Sequence, residues 1–102
     1  MKKIKVGLNG FGRIGRAVTR IAINDKRFEI ALINTRKTQN DLMAYLLQYD
    51  SVYRKFNKKV LATSSGITVD GKKIPTSLAA LPQEIPWDKY GVDIVIDATG
   101  AF

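Results

Sequence analysis

Apolar residues along the chain change spacing from segment to segment, and each spacing predicts an element. Ile4 to Leu8 is a short, mostly apolar run closed by Asn9-Gly10, which suits a buried strand ended by a tight turn. Ile14, Ala17, Val18, Ile21 and Ala22 then recur at three- and four-residue intervals. That spacing predicts a helix burying this face, with Arg13, Arg16 and Arg20 on the solvated side and an end near Asn24-Asp25. Phe28 to Ile33 predicts a second buried strand, followed by the polar stretch Asn34 to Asn40. Strand, turn, helix and strand make a βαβ unit with a right-handed crossover.

Asp41 to Tyr49 predicts a second helix with Leu42, Tyr45, Leu46 and Tyr49 on its apolar face and Asn40 or Asp41 as N-cap. Lys59 to Thr63, Ile67 to Val69 and Lys72 to Ile74 predict short antiparallel strands, the last two joined by Asp70-Gly71, a dipeptide suited to positive φ in a hairpin turn. This ribbon reads as an insertion between α/β elements. Pro75, Pro82 and Pro86 mark an irregular stretch through Trp87, before an apolar strand from Val92 to Ile96 and the segment Asp97-Ala98-Thr99-Gly100. The sequence stops at Phe102, where an α/β fold ordinarily places another helix, so the expectation is an interrupted domain.

Composition narrows the chemistry. At 102 residues the chain has the size of one domain or part of one, and 45% hydrophobic against 25% charged residues suits a packed core. The chain contains no cysteine and no histidine, so thiol nucleophiles, Ser-His-Asp triads, disulfides and His/Cys zinc sites are excluded within it. Seventeen Lys and Arg against nine Asp and Glu give +8, which favours anionic partners. Nucleic acid is the weaker reading of that charge, because no recognition motif accompanies it; Tyr45, Tyr49 and Trp87 suit packing or an interface better than base stacking. No stretch has the length of a signal peptide's apolar run or a membrane span, so the expected setting is the cytoplasm, with no membrane partner.

One motif carries specific chemistry. Gly10-Phe11-Gly12-Arg13-Ile14-Gly15 is GxGxxG, set between a predicted strand and a predicted helix of one βαβ unit. In that setting Gly10 allows the tight turn, Gly12 lets a pyrophosphate approach the main chain, and Gly15 lets helix and strand pack closely. The amides of Arg13 and Ile14 then face the anion at the positive end of the helix. This is the signature of a Rossmann-type dinucleotide-binding fold, α/β with a mainly parallel sheet, here carrying a short β-hairpin insertion. An acidic residue is expected roughly 20 residues further on, at the end of the second strand, to bind the adenosine ribose. Thr35 holds that place, followed by Arg36 and Lys37, and positive charge there suits a 2′-phosphate. The reading leans to NADP while leaving NAD open.

The segment Lys5-Val6-Gly7-Leu8-Asn9-Gly10-Phe11-Gly12-Arg13-Ile14-Gly15-Arg16 closely resembles the opening of phosphorylating glyceraldehyde-3-phosphate dehydrogenases. Ala31-Leu32-Ile33-Asn34, Gln48-Tyr49-Asp50-Ser51, Asp70-Gly71-Lys72-Lys73-Ile74, Pro86-Trp87 and Asp97-Ala98-Thr99-Gly100 continue the likeness in order. The resemblance spans essentially the whole chain, and about the first third of such an enzyme. It implies that Asn9, Phe11, Gly12, Arg13 and Ile14 surround the pyrophosphate and adenosine, with Thr99 and Gly100 beside the cofactor; the glycine motif adds Gly10, and the end of the second strand adds Asn34, Thr35 and Arg36 to the expected cofactor site. It further implies an aldehyde-oxidising, NAD(P)-dependent enzyme of carbohydrate metabolism and a homotetramer at full length. The family's catalytic cysteine and histidine belong to a later, catalytic domain, so no catalytic residue is assigned here and the chain alone is expected to be inactive. Thr35 departs from the usual acidic residue, Tyr53-Arg54-Lys55-Phe56 from the usual His-Gly-Arg/Lys-Phe, and Ala79-Ala80 from a Glu-Arg pair near the adenine. Two alternatives stay open: a non-catalytic dinucleotide-binding module, and a relative acting on erythrose 4-phosphate.

Overall fold

A computed structural model describes residues 2–36, 38–49 and 58–98. The expected βαβ unit is present as β1 (Ile4–Asn9), α1 (Arg13–Ile23) and β2 (Phe28–Asn34), followed by α2 (Asn40–Gln48). Three further strands, β3 (Val60–Ala62), β4 (Gly66–Val69) and β5 (Lys72–Ser77), precede two single 3-10 turns at Pro82–Glu84 and Asp88–Tyr90, and β6 (Ile94–Asp97) closes the described chain. The six strands form one sheet in the order β3-β4-β5-β2-β1-β6. Strands β5, β2, β1 and β6 run parallel, whereas β3, β4 and β5 pair antiparallel.

The Asp-Gly turn forms as expected: Asp70 and Gly71 both have positive φ, at 53° and 84°. The ribbon is continuous with the parallel sheet. Its last strand runs on through Pro75 to Ser77 and joins β2 in parallel at Ile33–Thr76 and Asn34–Ser77. Proline is tolerated there because of which edge it occupies. The Thr76 amide donates to Ser65 on the β4 side, so by alternation the Pro75 nitrogen points toward β2 at the start of the two-residue ladder, where no N–H is required of it.

α1 buries a face rotated from the one its apolar spacing predicts, keeping only Val18 and Ala22 of the expected residues, and α2 buries a different face altogether. In α1 the inward residues are Gly15, Thr19 and Ala22, with Val18 and Ile23 packed at the margin of the core; Ile14 and Ile21 are 67% and 68% exposed. Small side chains let this helix lie close on the sheet, and the larger ones are left outside. In α2 the buried residues are Met43, Ala44, Leu47 and Gln48, while Leu42, Tyr45 and Tyr49 face outward and the two tyrosine rings lie 5.2 Å apart. Six apolar residues in succession, Leu42 to Leu47, leave the pattern unable to choose a face. The cap is Gln39 instead of Asn40 or Asp41.

Asn40 is used otherwise. Its Nδ2 donates to the Thr63 carbonyl and its Oδ1 accepts from the Thr76 hydroxyl, which ties α2 to the ribbon. Arg20 and Arg16, expected to be solvent-facing or paired at the surface, are both paired. The Arg20 guanidinium donates to the carbonyls of Leu47 (2.6 Å) and Leu46 (3.3 Å), at the negative end of α2, and so joins the two helices. Arg16 donates to the Phe11 carbonyl at 3.0 Å. The core lies between the helices and one sheet face, built on Leu8, Ile33, Met43, Leu47 and Ile67. On the opposite sheet face Trp87 covers Gly7, where a Cβ would lie 2.5 Å from the indole Cζ3.

Candidate functional site

The parallel strands β1, β2 and β6 end together at Asn9, Asn34 and Asp97, and the glycine loop springs from this edge. β1 is flanked by β2 on one side and β6 on the other, so the chain crosses over at β1 and opens a crevice beyond the strands' carboxyl ends. Main-chain bonds set the geometry: the Gly10 amide donates to the Asn34 carbonyl, and the Ala98 amide donates to the Asn9 carbonyl, both at 2.7 Å.

Within the loop each glycine meets a distinct demand. Gly10 has φ 107°, which a side chain resists. A Cβ at Gly15 would lie 2.6 Å from the Gly10 carbonyl oxygen, so only glycine lets the first turn of α1 sit against the loop. A Cβ at Gly12 meets nothing within 4 Å, because Gly12 faces open space. Gly12 is also the N-cap of α1, with no side-chain cap and no acidic residue in the first turn. The leading N–H groups of the helix thus have no acidic residue in their own turn, and they are the donor set that an anionic phosphate takes up. A dinucleotide pyrophosphate fits the chemistry of this end.

The other expected site residues fall into two groups. Arg13, Ile14 and Arg36 are exposed around this edge, whereas the Phe11 ring is buried in the core, so only its main chain faces the loop. Asn9 and Asn34 are joined side chain to side chain: Asn34 Nδ2 donates to Asn9 Oδ1 at 3.1 Å and to the Ala79 carbonyl at 3.1 Å. Asn34 Oδ1 accepts from the Ser77 hydroxyl (2.7 Å) and the Ala79 amide (2.9 Å), so this amide closes the end of β2 onto the strand leaving β5. The Thr35 hydroxyl both donates to the Thr38 carbonyl and accepts from the Thr38 amide, holding the turn that carries Arg36 outward. Lys37, Thr99 and Gly100, together with Tyr53 to Phe56, lie outside the described residues. Ser77 is a supporting residue that the sequence did not single out, and Ala79, noted there only as standing in place of an acidic residue near the adenine, serves through its main chain; the signal was the buried amide of Asn34, whose four hydrogen-bonding positions must all be met.

Among known families, a model of the glyceraldehyde 3-phosphate dehydrogenase NAD binding domain matches residues 4–102. The chain belongs to this family. Its relatives include glyceraldehyde-3-phosphate dehydrogenase 1 of Trichormus variabilis, 47% identical over the whole of this chain and 29% of the relative. The enzymes of the same name from Kluyveromyces lactis and Bacillus subtilis are 42% and 43% identical over 97% of this chain, covering 30% and 29% of their own lengths. The chain thus spans about three-tenths of the length of the curated relatives it matches, and its matched part is the NAD-binding domain. The doubly flanked β1, the glycine loop and α1 all lie within the matched domain. Among the described residues no helix is long and apolar enough to cross a membrane.

Proposed function

We propose that this chain binds a nicotinamide dinucleotide at the carboxyl edge of β1, β2 and β6, and serves as the cofactor-holding part of an aldehyde-oxidising enzyme. The observation that carries the reading is the uncapped N-terminus of α1 opening at Gly12, where a Cβ meets only space. Main-chain amides from Arg13 onward hold the pyrophosphate, and Asn9 with Gly10 fixes the loop beneath it. When bound, the dinucleotide supplies hydride exchange; the chain contributes position and charge complementarity. Aldehyde oxidation resides in the intact family enzyme, to which this chain supplies no cysteine or histidine. Thr99 and Gly100 complete the cofactor side after β6, and cytoplasmic location and tetrameric assembly accompany this reading of the full-length protein.

For cofactor choice we infer a preference for NADP over NAD. The end of β2 carries Thr35 and exposed Arg36 where a carboxylate otherwise binds the ribose hydroxyls, and a guanidinium there attracts a 2′-phosphate. Calorimetric titration with NAD and NADP tests both parts. The expected result is binding of both dinucleotides, tighter for NADP, with at least about a tenfold loss for each in Gly12→Val. Arg36→Ala is expected to remove the NADP advantage, and Thr35→Asp to turn it toward NAD. Equal NAD and NADP affinities in the parent chain would overturn the preference alone; a Gly12→Val variant that binds as the parent does would overturn the site.

A further inference from the structure

At the opposite edge of the molecule, where the parallel strands begin, the sheet is split. β5 pairs with β2 only at Ile33–Thr76 and Asn34–Ser77, while β1 and β2 stay paired from Ile4–Phe28 onward. Between Phe28–Ala31 of β2 and Lys72–Pro75 of β5 there is no ladder, and the two strands form the arms of a fork. A cavity opens on each face of it, of about 390 Å³ and 490 Å³, and Glu29, Ile30 and Lys73 line both.

The two faces differ in chemistry. On the helix side the floor is apolar: Ala22, Phe28, Ile30, Val69 and Ile74, with Lys3 and Lys72 at the rim. On the other side Lys5, Lys73 and Lys89 surround Glu29 and Asp88. Together five lysines face two carboxylates. Among the described residues none of these lysines forms an ion pair. By alternation from Thr76 the main-chain N–H and C=O of Lys73 point into the gap, outside the β2–β5 ladder, an arrangement open to strand addition.

We propose that this fork is a docking site for an extended segment of a partner protein in which apolar and acidic residues alternate. An extended chain sends successive side chains to opposite faces. Its apolar residues then enter the cavity floored by Ile30 and Ile74, its carboxylates meet Lys5, Lys73 and Lys89, and its main chain pairs with Lys73. A small amphipathic anion would use the floor and one lysine but leave the strand edge open; the peptide satisfies all three features. The site is at the far end of the strands from the glycine loop and acts independently of it.

The test uses the synthetic peptide acetyl-Glu-Val-Glu-Leu-Glu-Val-Glu-amide, titrated into the isotope-labelled chain and followed by the methyl signals of Ile30, Val69 and Ile74 and the amide of Lys73. The expected result is saturable binding that shifts all four, and at least about tenfold weaker binding to Lys73→Glu and to Lys89→Glu. Both lysines are exposed, so these variants keep the fold, which circular dichroism verifies. Three control peptides are expected to bind at least about tenfold more weakly: one with Lys for Glu, one grouping the same residues as Val-Val-Leu-Glu-Glu-Glu-Glu, and one N-methylated at alternate amides. Equal binding of the grouped peptide would reduce the site to unspecific charge and overturn the proposal, as would equal binding of the N-methylated peptide, which removes strand pairing. Decanoate shifting the same methyls while the alternating peptide does not would assign the cavity to a small amphiphile and overturn it as well.

Discussion

Asn34 is 1% exposed, and its side-chain amide is engaged at all four positions by Asn9, Ser77 and Ala79. Truncation to Asn34→Ala leaves those partners buried without replacements, so we expect a loss of about 2–4 kcal/mol, measured by urea unfolding at neutral pH. Asn34→Asp is expected to be destabilising too, since it sets a buried carboxylate against Asn9 Oδ1 and the Ala79 carbonyl. A change below about 0.5 kcal/mol in both variants would mean that water takes the place of these bonds. At the far end of α1 a different residue controls a turn. Asp25 accepts hydrogen bonds from the Arg27 side chain at both carboxylate oxygens and from its amide, which lowers its pKa from 3.8 to about 2. A carboxyl whose folded pKa lies below its unfolded value contributes stability above the unfolded pKa, and that contribution fades as pH falls from about 4 to about 2. Because the pair is solvent-exposed the effect on stability is small, so the readout is the NMR titration of the Asp25 carboxyl. Its midpoint is expected near 2 in the parent chain and back toward 3.8 in Arg27→Ala.

At the level of the elements, the glycine loop separates folding from binding. In Gly15→Ala the new Cβ meets the Gly10 carbonyl oxygen at 2.6 Å, and because both are main-chain-fixed, α1 must shift off the loop. We expect a stability loss of about 1–3 kcal/mol, as for other overpacked positions. Gly12→Ala places its Cβ in open space, and its thermal midpoint is expected to stay within a few degrees of the parent. Thermal unfolding of the two variants checks the contrast; equal losses would mean that the loop repacks as a unit. Strand order along the chain, the Asp-Gly hairpin and this loop were legible in the sequence because each rests on local signals: short apolar runs, a positive-φ dipeptide, glycine spacing. The helix faces were legible only in part, through Val18 and Ala22 of α1. Choosing the inward side of α1 requires knowing that Gly15 and Thr19 must approach the sheet closely, and the apolar run from Leu42 to Leu47 presents α2 with two nearly equivalent faces. The parallel pairing of β5 with β2 was hidden for a related reason, since Pro75 reads as a strand breaker until its nitrogen is seen on an unpaired edge.

Over the whole molecule, charge and apolar surface are distributed unevenly. Ile14 and Ile21 lie two turns apart on the outer face of α1; Leu42, Tyr45 and Tyr49 line the outer face of α2; and Ile94 and Val95 are half-exposed on β6, the strand at one end of the sheet. Scattered apolar residues are ordinary on a soluble surface, but rows of large ones along two helices and an edge strand are features of surfaces that meet other protein. The net charge of +8 opposes close approach of like copies at low salt, and screening weakens that opposition as ionic strength rises. The apolar attraction persists under the same change. Self-association of this chain is therefore expected to increase with salt, the reverse of an interaction held by charge. Sedimentation velocity at low and high salt reads the difference directly. Ile14→Lys combined with Ile21→Lys should lower the association at high salt while leaving the unfolding midpoint nearly unchanged, because neither side chain is packed into the core. Association that weakens with salt would instead place its origin in charge complementarity between copies, and an unfolding midpoint that falls with the double variant would show that the outer face of α1 already has a partner within the chain.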